Sequence, residues 1–199
     1  MTNHFSIITK FLSNNEYISV KQACKLGVGR HVLAEFTKQG KLNRVKRGVY
    51  SLPDEFIDEY ELLQAKRSKV VYSYNTALFL HGLSDRTPQK IHISVPQGYN
   101  VNRLKNNRNI LKVHYVKNTL FSLGIEEVTS PQGGKVNVYN KERCICDIIK
   151  DKKNMDIQIY QDAIKMYFKS DRKDLRKLIK YSKVLNVEAK VRNYIEVLT

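Results

Sequence analysis

Residues Ile18 to Leu52 read ISVKQACKLGVGRHVLAEFTKQGKLNRVKRGVYSL, and the punctuation of this stretch decides the fold. Ser19 stands before Val20 with Gln22 three positions on, a pattern in which a hydroxyl and an amide satisfy the unpaired N–H groups at a helix start. Val20, Ala23 and Cys24 then fall on one face. The run Leu26-Gly27-Val28-Gly29 stops this helix, because Gly27 can take the left-handed conformation that a helix stop needs and Gly29 lets the next element begin. Two helices joined by a three- or four-residue turn containing glycine form a helix-turn-helix.

In the second helix, Arg30 to Gln39, each residue advances by about 100°. Val32, Leu33 and Phe36 form an inward stripe, while Arg30, His31, Ala34, Glu35 and Lys38 face the other way, and Gly40 ends the helix. Leu42 to Val45 and Gly48 to Ser51 are strand-like runs around the basic turn Lys46-Arg47-Gly48. Upstream, Phe5, Ile8, Phe11 and Leu12 recur at helical spacing and predict a first helix that caps the same core. Residues 1–52 therefore read as a winged helix-turn-helix.

This segment holds 9 Lys and Arg against 2 Asp and Glu, and five of the nine lie between Lys38 and Arg47. Such an uneven charge predicts a DNA-binding surface. Arg30, His31, Ala34 and Lys38 would face bases in the major groove, while Arg44, Lys46 and Arg47 at the hairpin tip would reach phosphate or the minor groove. The alternative is a protein-interaction module whose charges are simply solvated.

The whole chain of 199 residues carries a formal charge of +16, with a pI near 9.7 and 42% hydrophobic residues. That composition supports folded domains, and the field attracts polyanions. No apolar run of about 18 residues exists to span a bilayer, and the N-terminus lacks the features of a signal peptide. A cytoplasmic protein without membrane association is expected. Three cysteines at positions 24, 144 and 146 argue for a reducing compartment and against a disulfide framework. Cys144 and Cys146, two apart in a predicted helix and facing different directions, read as buried small hydrophobes rather than a metal pair.

After Pro53, an acidic cluster of Asp54, Glu55, Asp58, Glu59 and Glu61 precedes an apolar stripe of Phe56, Ile57, Tyr60 and Leu63, so residues 53–68 read as a connecting helix. From Lys69 the composition turns strand-prone. The strand-prone run Val70–Tyr74 leads into Asn75, which caps a short helix that stops at Gly82, and strands are predicted at Ile91–Val95, Leu111–Val116, Leu123–Thr129 and Lys135–Tyr139, about four in all. Few long helical crossovers separate them, which predicts a small, mostly antiparallel sheet. Helices follow: Lys141 to Lys150 capped by Asn140, Met155 to Phe168, a basic helix opened by Asp171, and a last helix carrying Val187, Val191, Tyr194, Ile195 and Leu198. The fold class is α+β, with a domain over 69–199 that ends in helices.

Two further basic features are candidate contacts for phosphate or an acidic partner: Arg103, Lys105 and Arg108 in a polar loop, and Arg172, Lys173, Arg176, Lys177 and Lys180 in the basic helix. Solvated surface is the bland reading of both. Catalytic signatures are missing. Phosphate-loop, hydrolase and zinc motifs are absent, the five histidines are scattered, and Glu126, Glu127 and Lys135 make only a weak nuclease-like set. No cofactor, no metal and no catalytic residue is expected.

Nearly the full chain resembles the AbiEi family, the antitoxin and transcriptional regulator of type IV abortive-infection toxin-antitoxin systems. The likeness lies in Lys46-Arg47-Gly48-Val49-Tyr50, in Tyr72 to Leu83 (YSYNTALFLHGL), in Ile91-His92-Ile93-Ser94-Val95-Pro96 and in Lys141 to Ile149 (KERCICDII). The resemblance implies an N-terminal domain that binds inverted repeats in its own promoter and represses its operon; inverted repeats leave open whether two molecules self-associate on the DNA as dimers or only cooperatively. It also implies a C-terminal domain that counters a co-encoded nucleotidyltransferase-like toxin without a stable complex.

Overall fold

The computed structural model describes residues 4–53, 58–65, 67–102, 104 and 110–198. The chain forms two compact units, Met1–Leu62 and Leu63–Thr199. The first contains α1 (His4–Leu12), β1 (Ile18–Ser19), α2 (Val20–Lys25), α3 (Arg30–Lys38), β2 (Asn43–Lys46) and β3 (Val49–Ser51), and the division falls within α4 (Glu59–Gln64). The residues Asp54 to Ile57 of the expected connecting helix lie outside the described residues.

The helix starts and stops of this unit follow from its side chains and glycines. At the head of α2, Ser19 Oγ accepts from the Gln22 N–H at 3.2 Å, while Gln22 Oε1 accepts from the Ser19 N–H at 3.0 Å. Gly27, Gly40 and Gly48 adopt φ values of 79°, 70° and 76°, the region where only glycine is free of steric cost. Ile8, Leu12, Ile18, Ala23, Val28, Leu33, Leu42 and Tyr50 close the core, with Val32 and Phe36 packed against it. Cys24 departs from expectation. It is exposed, because α2 turns only Ala23 fully inward.

The two residues of β1 are too short to stand out in the sequence, yet they complete a three-stranded antiparallel sheet in the order β1-β3-β2. Ile18 pairs with Tyr50 and Ser19 with Val49. The hairpin is thereby tied to the start of α2, where the Val20 N–H donates to the Gly48 carbonyl at 3.0 Å.

The second unit holds β4 (Val71–Tyr72), α5 (Tyr74–Leu80), β5 (Ile91–Pro96), β6 (Leu111–Val116), α6 (Asn118–Phe121), β7 (Ile125–Thr129), β8 (Lys135–Tyr139), α7 (Lys141–Lys150), α8 (Ile157–Lys169), α9 (Leu175–Val184) and α10 (Glu188–Leu198). Its sheet runs β6-β5-β4-β8-β7. The pairs β4–β5 and β7–β8 are antiparallel, whereas β5–β6 and β4–β8 are parallel. The expectation of a mostly antiparallel sheet is thus corrected to an evenly mixed one. The connection over 97–110 has the dozen or more residues that a parallel return requires.

Two local expectations shift as well, and one holds. Ser73, not Asn75, occupies the cap position of α5, and the helix begins at Tyr74 with φ 47°. Asn140 does cap α7, accepting from the Arg143 N–H. The basic helix opens three residues later than expected, because Asp174 and not Asp171 accepts from the Lys177 N–H, leaving Arg172 and Lys173 in the preceding turn.

A buried cation holds this unit together. Arg143 is 2% exposed. Its Nε donates to both oxygens of Asp147 at 3.1 and 3.0 Å, and Nη1 donates to the carbonyls of Leu120 and Leu123 at 2.9 and 3.1 Å. The guanidinium lies 4.5 Å from the centroid of the Tyr139 ring. Breaking a buried pair by removing one partner leaves an uncompensated charge, which costs about 3–5 kcal/mol, whereas replacing both with apolar groups is far milder. Urea denaturation is expected to show a loss of that size in Arg143→Met, with most of it recovered in the Arg143→Met/Asp147→Leu double variant. Ser19→Ala, which removes the cap of α2, is expected to cost about 1 kcal/mol in the first unit.

Candidate nucleic-acid interface

Helix α3 owes its polarity to its register. Leu33 is fully buried, while Arg30, His31, Ala34, Glu35 and Lys38 are exposed. Arg30, Ala34 and Lys38 recur every four residues and so line one stripe of the helix. His31 folds back over the turn: a Cβ built on Gly29 would stand 2.8 Å from its ring. A glycine at 29 is therefore what lets the imidazole lie against the helix start.

At the hairpin, Arg44 and Arg47 are exposed, and neither forms an ion pair among the described residues. Lys46 differs. It is half-buried, and its Nζ donates to the Leu62 carbonyl at 2.8 Å, which draws it away from the phosphate-contacting role expected for it. Lys41, not singled out in the sequence, sits 5.6 and 5.8 Å from the ring centroids of Phe5 and Phe36.

Of the second basic feature, Arg172, Arg176 and Lys180 are exposed. Lys173 and Lys177 are partly engaged: Lys173 Nζ donates to the Ser170 carbonyl at 3.3 Å, and Lys177 Nζ lies 3.7 Å from Glu142. That carboxylate is 5% exposed and also accepts from the Tyr167 hydroxyl at 3.3 Å. Arg103, Lys105 and Arg108 lie outside the described residues. The weak nuclease-like set does not converge. Glu127 pairs with Lys135 at 3.1 Å, while its neighbour Glu126 stands 3.7 Å from His81. Among the described residues, no cluster of three or more His, Cys, Asp or Glu is placed to hold a metal ion.

The sequence missed one constellation. His92 and His114, apparently scattered, meet on adjacent strands with Nδ1 and Nε2 3.3 Å apart, and the Tyr74 ring stacks on His114 with centroids 3.9 Å apart. Parallel pairing sets Ser94 opposite His114, which brings His92 and His114 onto one face two residues apart. An antiparallel assumption concealed that.

Burial holds both imidazoles well below their ordinary range, His92 at about 3 and His114 at about 4; Lys112 pushes both the same way, His114 further lowers His92, and Asp151 raises His114. The unfolded chain therefore binds protons that the fold refuses once the pH drops below about 6.5. The stability these histidines confer is complete above that value and is lost as the pH falls toward 4. Asp147 acts oppositely: burial raises its carboxyl to about 6 against the pull of Arg143, so it favours the fold at lower pH. Two depressed histidines outweigh the one carboxyl. Thermal melts are expected to show Tm falling steadily from pH 7 to pH 4.5, and falling less steeply in His114→Gln.

No protein-family model matches the chain, and no curated protein is similar to it at a significant level. A search of solved structures finds a similar fold in the crystal structure of the RV2827C protein from Mycobacterium tuberculosis. The TM-score is 0.55 at 12% identity, with 98% of this chain and 82% of that one covered. No described helix is long and apolar enough to cross a membrane.

Proposed function

We propose that the chain is a DNA-binding transcriptional autorepressor and type IV antitoxin acting in the cytoplasm. Residues 1–52 would serve as a winged helix-turn-helix, 53–68 as a connecting segment and 69–199 as the domain that counters a nucleotidyltransferase-like toxin. The observation that carries the DNA-binding part is the exposed stripe Arg30-Ala34-Lys38 on α3, whose opposite face is anchored by the fully buried Leu33. The order α1-β1-α2-α3-β2-β3, with β1 on the hairpin strand β3, supports the winged-helix reading. In this reading α3 occupies the major groove of each half of an inverted repeat, and the exposed Arg44 and Arg47 brace the flanking backbone.

A mobility-shift titration of the upstream DNA at several salt concentrations tests it. Arg30→Ala is expected to cost about 1–3 kcal/mol and relax specificity. Arg47→Ala is expected to weaken all sequences alike and lower the salt slope by about 1. Lys46→Ala should affect DNA less than Arg47→Ala, since Lys46 is held by the Leu62 carbonyl. Equal affinity for scrambled DNA would rule out the repressor.

The antitoxin part rests on the resemblance of residues 72–83, 91–96 and 141–149 to the AbiEi family. Co-expression with the neighbouring toxin gene is its test. Full-length protein carrying Arg30→Ala and Arg47→Ala should still protect cells, because protection is assigned to the second domain. If those cells die as they do without it, protection depends on DNA binding, and a general winged-helix regulator without antitoxin activity becomes the better reading.

A further inference from the structure

Within the second unit, a cleft of about 490 Å³ opens where the parallel strands β5 and β6 end. The Gln97 N–H donates to the Val116 carbonyl at 2.8 Å, so the two strands finish together, and the Tyr99 N–H turns back onto the Pro96 carbonyl at 3.1 Å. Gly98 makes the bend with φ 82°, and a Cβ built on it would meet nothing within 4 Å, so the backbone there is uncovered. Around this turn, Tyr99 and Phe121 are half-buried, whereas Gln97, Asn100, Asn118 and Lys69 are exposed.

The lining has a definite chemistry. Among the described residues it contains two aromatic rings, three amides, one cation, and no carboxylate, imidazole or thiol. Absence of acidic, His and Cys ligands disfavours a metal ion. Exposed amides suit no purely apolar guest. Half-buried aromatics offer a stacking surface to a flat heterocycle, amides offer paired donors and acceptors to its edge, and one ammonium meets one phosphate. The volume lies in the range of small-molecule sites, and the carboxyl ends of parallel strands are a recurrent place for them.

We propose that this cleft binds a nucleoside phosphate, with Phe121 and Tyr99 holding the base, Asn118, Asn100 and Gln97 reading its edge, and Lys69 meeting the phosphate. The ligand is either a free nucleotide or the unpaired terminal nucleotide of an RNA. This site belongs to the second unit and stands or falls independently of the DNA-reading residues of α3 in the first.

Calorimetric titration of the full chain tests it with the four ribonucleoside 5′-monophosphates, adenosine, inorganic phosphate and a five-nucleotide single-stranded RNA. Saturable 1:1 binding of at least one nucleotide is expected. Phe121→Ala should weaken it roughly tenfold, as loss of one base stack does. Asn118→Ala and Lys69→Gln, both at exposed positions and so expected to fold, should also weaken it, with Lys69→Gln sparing adenosine. Tighter binding of the RNA than of any mononucleotide would assign the site to an RNA end, and the reverse order to a free nucleotide. The proposal is overturned if no nucleotide saturates, if inorganic phosphate binds as well as the nucleotides, or if Asn118→Ala and Lys69→Gln both bind as the parent does. Arg30→Ala/Arg47→Ala should bind nucleotides unchanged. Loss of binding there would reduce the signal to general attraction of anions to a basic protein and also overturn the site.

Discussion

The second unit is organised around one guanidinium. Arg143 projects from α7 into a place where water cannot solvate it, so its guanidinium needs partners supplied by the fold. Asp147 one helical turn away, the carbonyls of Leu120 and Leu123 behind α6, and the face of Tyr139 at the end of β8 provide them. Those four groups come from three separate elements, which can satisfy the arginine only if they arrive together. The backbone that supplies the carbonyls passes so close that a Cβ on Gly124 would stand 2.9 Å from the Arg143 Cβ, and its φ of 80° demands glycine independently. Burying a charge in this way is a poor route to stability and a good one to uniqueness, since few alternative packings satisfy so many directional bonds.

The first unit solves a different problem with different means. It is small, its core is aliphatic and aromatic, and its turns are made by glycines with positive φ at 27, 40 and 48. These features are visible in a sequence because each is local: a capping box spans four residues, a glycine stop one, and an inward stripe repeats every turn. The outward face of α3 was therefore legible down to Arg30, Ala34 and Lys38. Lys46 was not, because the Leu62 carbonyl that takes its ammonium lies sixteen residues away and leaves no local mark. Two-residue strands such as β1 leave none either.

The same distinction explains the sheet of the second unit. Strand positions could be read from alternation, but pairing direction is a property of distant segments, and the local pattern of β5 and β6 suits either sense. Only the parallel register brings Ser94 opposite His114 and gathers His92, His114 and Tyr74 into one cluster. The cleft beyond Pro96 depends on that register too, since it forms where both strands stop at the same level. Chemistry that looked dispersed along the chain was dispersed only in sequence. The two surfaces thus divide by how they are encoded, with the α3 stripe written locally and the second-unit cleft assembled by topology.

The thiols offer a practical consequence. Cys144 and Cys146 are enclosed, with burial pushing both sulfhydryls up, Cys146 to about 12, so neither supplies much reactive thiolate. Cys24 sits exposed on α2, one short turn before α3. A maleimide dye would consequently attach at a single native position, giving the natural chain a built-in optical reporter beside α3 without any engineered cysteine.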